Sequence, residues 1–344
     1  MKNYLEGCGV PTTCVGRTEV PRLIMGNHPY DGMSYISPER DAWNLQIFNC
    51  AAKVPEVLRH AVERAGLTVT YVAHERPERN RLHLQAIWET EQETEVEIGM
   101  IAHIHIPVIF DGQLVMSTKR TYATMYAHNE RLAGGAFQKH LSEDPIVNRV
   151  LKKKSQVWVT SETTPPLTAD EAARFKIDYA LLERYLGFYA GCNIVIANPG
   201  AEVDLLAMTG RFDLIREYID FLRRRFTTVA VSIHHAGVTI PLLEAAGIAI
   251  DGYVTPVNRL GALMNPTPEI ALAAIRETSK PIIAIKTLAG GRTLGHSAFE
   301  YVFEKVGVAA AAFGMGTLEQ VSETTKAARE VLGCTPSTCA RCSL

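Results

Sequence analysis

Four apolar runs in the C-terminal half of the chain each end in residues able to do chemistry. They read TVAVSIHH (228–235), DGYVTPVN (251–258), PIIAIKTLAGGR (281–292) and VAAAAFGMGT (308–317). Earlier runs end in His28 and in His74-Glu75. Imidazoles near neutral pH move protons or ligate metals. His28, His74 and His234 are therefore candidate ligands of a catalytic divalent ion, zinc or similar, and candidate proton carriers. His234 and His235 are adjacent, so on an ideal strand only one of them faces inward. His103 and His105, two residues apart in IAHIHIP, would share one face of a strand, but they fall in the segment read as an insertion.

Lys286 ends an apolar run and should sit at or inside a barrel mouth. There it could pin an anion, form an imine with a carbonyl, or make a structural ion pair. The loops Gly290-Gly291-Arg292 and Gly314 to Thr317, with Gly314 and Gly316, are a candidate phosphate or carboxylate cradle. The bland alternative is tight turns. Among the carboxylates Asp31, Glu75, Glu89 and Glu162, the expected catalytic partner is Glu89, since the ring of Trp88 beside it would raise its pKa. Asn27, Asp31, Trp88, Asn198 and Asn258 complete the candidate substrate-binding set. Asparagines at such places are otherwise turn formers. Tyr122, Tyr126 and His128 are candidate lid residues.

A repeating strand–helix rhythm must position these groups. Strands are expected near 22, 67, 83, 193, 229, 251, 281 and 308, with helices between most of them. The chain thus reads as α/β, a (β/α)8 TIM barrel with an inserted α+β lid. Chemistry belongs at the C-terminal ends of its strands. Residues 1–89 would carry strands one to three, including LHLQAIWE (82–89) as the third. Residues 90–190 would form the insertion, 191–333 strands four to eight, and 334–344 a cysteine-containing tail. A doubly wound sheet is the alternative, but no GxGxxG follows the first strand.

KTLAGGR (286–292) and FGMGTLEQVSETTKAA (313–328) resemble the seventh and eighth strand units of the aldo/keto reductase superfamily. With NHPYDG (27–32) and MNP (264–266), the chain is most similar to uncharacterised members lacking the catalytic tetrad. The resemblance centres on residues 281–328. It implies the barrel fold and a loop pair holding a cofactor's phosphates, with NADPH as the cofactor. The family's catalytic pattern is not carried over. Tyr71 lies within its strand without the accompanying Asp, the expected third-strand Lys is missing, and so is the Arg after the eighth strand.

Composition bounds the rest. The 344 residues carry a net charge of −2, which gives no electrostatic case for nucleic acid or membrane partners. No apolar run reaches the ~18 residues of a membrane span, and the N-terminus lacks an apolar signal core, so a cytoplasmic protein is expected. Seven cysteines, an odd number, argue against a secreted disulfide framework. Cys8, Cys14, Cys339 and Cys342 could instead meet at the bottom of a closed barrel as a structural metal site. The leading functional reading is acid–base chemistry on a small polar or anionic metabolite, of the lyase, isomerase or hydrolase type. The alternatives are an NADPH-dependent oxidoreductase with a non-standard catalytic set and a non-catalytic binding barrel. Assembly into a homo-oligomer is left open.

Overall fold

The computed structural model describes residues 1–50, 52–147 and 164–334. Eight parallel strands form the barrel. They are β1 (Leu23–Gly26), β2 (Val69–Val72), β3 (Gly99–Ile104), β4 (Ile194–Pro199), β5 (Ala230–Ser232), β6 (Gly252–Pro256), β7 (Ile282–Ile285) and β8 (Ala310–Gly314). Their order round the sheet is β5-β6-β7-β8-β1-β2-β3-β4. Closure between β4 and β5 comes from one backbone bridge, Ala197 to Val229.

Side chains alternate across each strand, and this alternation makes two cores. Ile24, Val69, Tyr71, Ile101, Ile196, Ala230, Val254 and Ile283 fill the barrel interior. A larger cluster lies between the strands and the surrounding helices. A short antiparallel hairpin, Thr12–Val15 with Thr18–Pro21, adds Val15 and Val20 to the interior cluster and plugs the barrel. The interior is thus solid below the mouth, and only the upper side chains are placed to meet a ligand.

The third strand is not where residue alternation placed it. LHLQAIWE (82–89) lies inside a helix, Pro77–Thr94, whose buried residues include Asn80, His83, Leu84, Ile87 and Thr90. That spacing of three and four is helical. Trp88 is 42% exposed, and Glu89 accepts a hydrogen bond from Gln85 one turn away. Neither reaches the mouth. The third strand is Gly99–Ile104 instead, so His103 and His105 belong to the barrel rather than to an insertion.

The inserted segment comes after β3. Val108–Phe110 and Gln113–Leu114 form a hairpin about Asp111-Gly112, with both turn residues at positive φ, and Lys176–Ile177 pairs on the other side. Helices Lys119–Ala133 and Gly135–Glu143 pack over the barrel loops. Tyr126, Phe137 and Leu141 meet Leu263 and Ala289 there. The Asp144 carboxylate accepts a hydrogen bond from the Leu263 N–H at 2.5 Å. No helix among the described residues is long and apolar enough to cross a membrane.

Gly66 ends the helix Lys53–Ala65 in the left-handed conformation, φ 57°, as a C-terminal cap. A Cβ there would lie 2.5 Å from the backbone of Gly9. Gly66→Ala therefore meets both strain and a backbone clash. It should lower unfolding free energy by about 2 kcal/mol or more in denaturant titration. An unchanged midpoint would contradict this packing.

Candidate active site at the barrel mouth

Two groups of side chains face each other across the mouth. The first centres on Lys286, just past β7. Its backbone lies in the left-handed region, φ 57°, which is costly for a residue with a Cβ. Its Nζ stands 3.4 Å from His234 Nε2 and 4.9 Å from the Tyr35 ring centroid. Tyr35, also at positive φ, meets the His28 ring edge-on. Burial lowers the Lys286 amine to about 8. Burial, then the Lys286 charge, lowers His28 to about 3 and puts His234 well below the ordinary histidine value. The two imidazoles beside the lysine are thus neutral at pH 7.

The second group is anionic. Glu75 follows β2, His103 lies in β3, and His105 comes directly after that strand. His105 Nε2 lies 2.8 Å from Glu75 Oε1, and its Nδ1 lies 2.5 Å from Glu202 Oε1. His103 Nε2 is 3.5 Å from the same Glu75 oxygen. Burial alone would push both carboxylates up and His105 down. The mutual charges and hydrogen bonds win, so Glu75 and Glu202 are held below the usual range and His105 well above it.

Asn198 ties the anionic group to β5. Its Nδ2 donates to the Ala230 carbonyl across the β4–β5 seam at 2.5 Å, and its Oδ1 accepts from Ser232 at 3.0 Å. His103 Nδ1 approaches that same oxygen at 3.3 Å. Asp204 fixes the turn after β5: its carboxylate accepts from the His234 N–H at 2.7 Å and from the Thr239 hydroxyl. Burial raises this carboxyl to about 7.

The remaining expected residues have other surroundings. His234 and His235 diverge, in the turn between β5 and the helix Ala236–Ala245. His235 points to the inserted helix, where Asn129 Nδ2 donates to its Nδ1 at 2.7 Å. His74 stacks on Tyr185, and its Nε2 accepts from the His105 N–H. His28, His74 and His234 do not converge as a ligand set. Among the described residues the histidine, cysteine and acidic atoms that do converge are those of Glu75, His103 and His105. Asn27 and Asn80 both donate to Asp31, so this set holds the loop after β1 in place. Asn258 exchanges hydrogen bonds with the backbone of Ala262, a turn-forming role.

The glycine loops are filled by the chain itself. A Cβ on Gly290 would lie 2.6 Å from the Tyr35 carbonyl oxygen, and one on Gly314 2.9 Å from Pro29 Cδ. Gly291 faces Ile36. Arg292 donates to the carbonyls of Tyr35, Ala289 and Ile36, and the Gly316 N–H donates to Gln320. In this arrangement the residues expected to cradle phosphate hold the segment 29–36 instead. They do not fit a cofactor's phosphates as they stand. Cys8 donates to the Val10 carbonyl, Cys14 is exposed on the hairpin, and Cys339, Cys342 and Glu162 lie outside the described residues.

Comparison with solved structures places this architecture. A protein from Pseudomonas aeruginosa, provisionally described as an aldo-keto reductase, superposes with a TM-score of 0.53 over 93% of this chain and 95% of its own, at 13% identity. The barrel has the aldo-keto reductase fold. An aldo-keto reductase of the silkworm Bombyx mori in complex with NADPH gives 0.47 at 11% identity, over 95% of this chain and 88% of its own. A second silkworm aldo-keto reductase, in complex with NADP, gives 0.46 at 10% identity, over 94% and 92%. No family model and no curated protein matches the chain. The protein that shares this fold is described as a reductase, which runs against the expectation of lyase, isomerase or hydrolase chemistry.

The sequence alone does not mark Glu202, Asp204, Tyr35 and Ser232 as mouth residues. It does show His103 and His105, but places them in the insertion. The period-two pattern of IAHIHIP carries the signal, once residues 77–94 are recognised as helix. Asn198→Ala would strip the seam of its side-chain donor and leave Ser232 and His103 without their acceptor. It should cost about 2 kcal/mol in equilibrium unfolding. A loss below a few tenths would contradict the seam role.

Proposed function

We propose that this protein is an oxidoreductase acting on the carbonyl or carbinol group of a small polar substrate, with a catalytic set of its own. The observation that carries the reading is the desolvated Lys286 amine in a barrel of reductase fold. It is backed by strained backbone and flanked by neutral His28 and His234. A carbonyl oxygen that gains negative charge needs a hydrogen-bond donor with a proton to give. A group with a pKa close to working pH serves best. Lys286, lowered to about 8, meets that need.

In this reading Lys286 holds the substrate oxygen and supplies or recovers its proton. His28 and His234 orient the amine without adding competing positive charge. The inserted helices limit water at the mouth, where polar contacts then count for more. NADPH is the redox partner that the resemblance of residues 281–328 implies. Its phosphates would need contacts other than the Gly290–Arg292 and Gly314–Gly316 loops in their present packing. No step is therefore assigned through it.

NADPH oxidation should be followed over a panel of small aldehydes and ketones between pH 6 and 10. Reduction is expected to be fastest where Lys286 is protonated. It should fall about tenfold per pH unit above about 8, since the acid form is lost as pH rises through that value. Lys286→Met, which keeps the apolar stem, should lower kcat/KM by about 100-fold or more. Turnover by the folded variant at the wild-type rate, or no NADPH oxidation with any carbonyl, would overturn the reading.

A further inference from the structure

We infer that Glu75, His103 and His105 form a binding site for one divalent transition-metal ion, open to an oxygen ligand from the mouth. The site involves none of the histidines around Lys286, and it does not depend on the oxidoreductase reading. One ligand atom from each of Glu75, His103 and His105 lies within 4.8 Å of the other two. His103 Nε2 and His105 Nε2 stand 3.5 and 2.8 Å from Glu75 Oε1. Tetrahedral ligands held about 2.0–2.1 Å from zinc are roughly 3.3 Å apart, so small adjustments would seat an ion.

The hydrogen bonds behind the ligands orient them toward a common point. Asn198 spends its NH2 on the Ala230 carbonyl, so the atom facing His103 Nδ1 is its oxygen. That contact places a proton on His103 Nδ1 and turns Nε2 toward a carboxylate oxygen at 3.5 Å. A second proton on His103 would make an ordinary ion pair there, whereas a metal ion satisfies the Glu75, His103 and His105 atoms together. Metal titration separates the two.

His105 repeats the pattern. Its Nδ1 is bonded to Glu202 Oε1, and Glu202 is buried, with its second oxygen unpartnered among the described residues. A histidine that ligates through Nε2 and donates from Nδ1 to a carboxylate or an amide oxygen is the arrangement that fixes metal ligands in place. The fold supplies the rest. His103 lies near the end of β3 and His105 just past it, and Glu75 follows the end of the neighbouring strand β2. Glu75 and His105 keep 37% and 31% of their side chains exposed, which leaves the outer side of the site accessible. Two imidazoles and one carboxylate select a first-row divalent ion rather than calcium or magnesium.

The test uses the full chain, freed of metal with chelator, and titrated with Co2+ and then Zn2+. Seven cysteines offer a competing thiolate site, so the cobalt spectrum is part of the readout. One equivalent should bind with visible d–d bands and no near-ultraviolet thiolate charge-transfer band. Zn2+ should displace it. Glu75→Gln and His103→Ala should each weaken binding by at least about tenfold, and Glu202→Gln by about tenfold through His105. His234→Ala should leave the affinity unchanged. Circular dichroism confirms that each variant is folded. Failure of the folded wild-type chain to bind, a thiolate band at the first equivalent, or affinity unaffected by Glu75→Gln and His103→Ala would each overturn the site.

Discussion

The mouth of this barrel depends on how the sheet is closed. Between β4 and β5 the backbone contributes one bridge, and the amide of Asn198 adds a side-chain bond across the same seam. That one residue sets the position of the Ala230 carbonyl, the Ser232 hydroxyl and the His103 ring. Beneath it, an interior of mainly Ile, Val and Ala side chains with Tyr71, closed by the N-terminal hairpin, is filled by the chain itself. The upper ring of polar side chains is therefore rigidly mounted, as a site needs if its groups are to be preorganised.

On that mount the chain separates charge. Around Lys286 the neighbours are neutral histidines and an aromatic ring. Around His105 they are carboxylates. β3 and β7 stand four places apart in a ring of eight, so the two groups lie on opposite walls of the mouth. A small polar molecule between them would meet a hydrogen-bond donor on one wall and a Glu–His cluster on the other. The loops that hold cofactor phosphates in the resemblance are here packed under Tyr35, Pro29 and Ile36. The reductase fold is thus kept while its anion-binding floor serves the chain's own first loop.

Much of this is legible in the sequence, and the failures have physical causes. The last five strands announce themselves as short apolar runs between capped helices. Thr267 and Thr317 cap their helices as their neighbours in sequence imply. The third strand is hidden because LHLQAIWE alternates well enough to pass for a strand. Its burial follows a helical face instead, and that is decided by packing against the helix Lys53–Ala65. Misplacing that strand displaces His103 and His105 from the barrel. Lys286 reads correctly as a mouth residue, but its neighbours do not, because Tyr35 arrives from a loop 251 positions earlier. Glu202 and Asp204 carry no signal, since buried acids at a helix start look like ordinary first-turn residues.

The central claim is that the mouth reduces a carbonyl group whose oxygen Lys286 holds. The most direct test is isotopic. A small ketone labelled with 13C at its carbonyl carbon is incubated, with a nicotinamide reductant supplied, with the wild-type chain and with folded Lys286→Met, and the label is followed by NMR. The account predicts that the carbonyl signal gives way to a carbinol signal with the wild-type chain and stays in place with the variant. A label that stays at the carbonyl with both proteins, or that shifts equally with both, would contradict it.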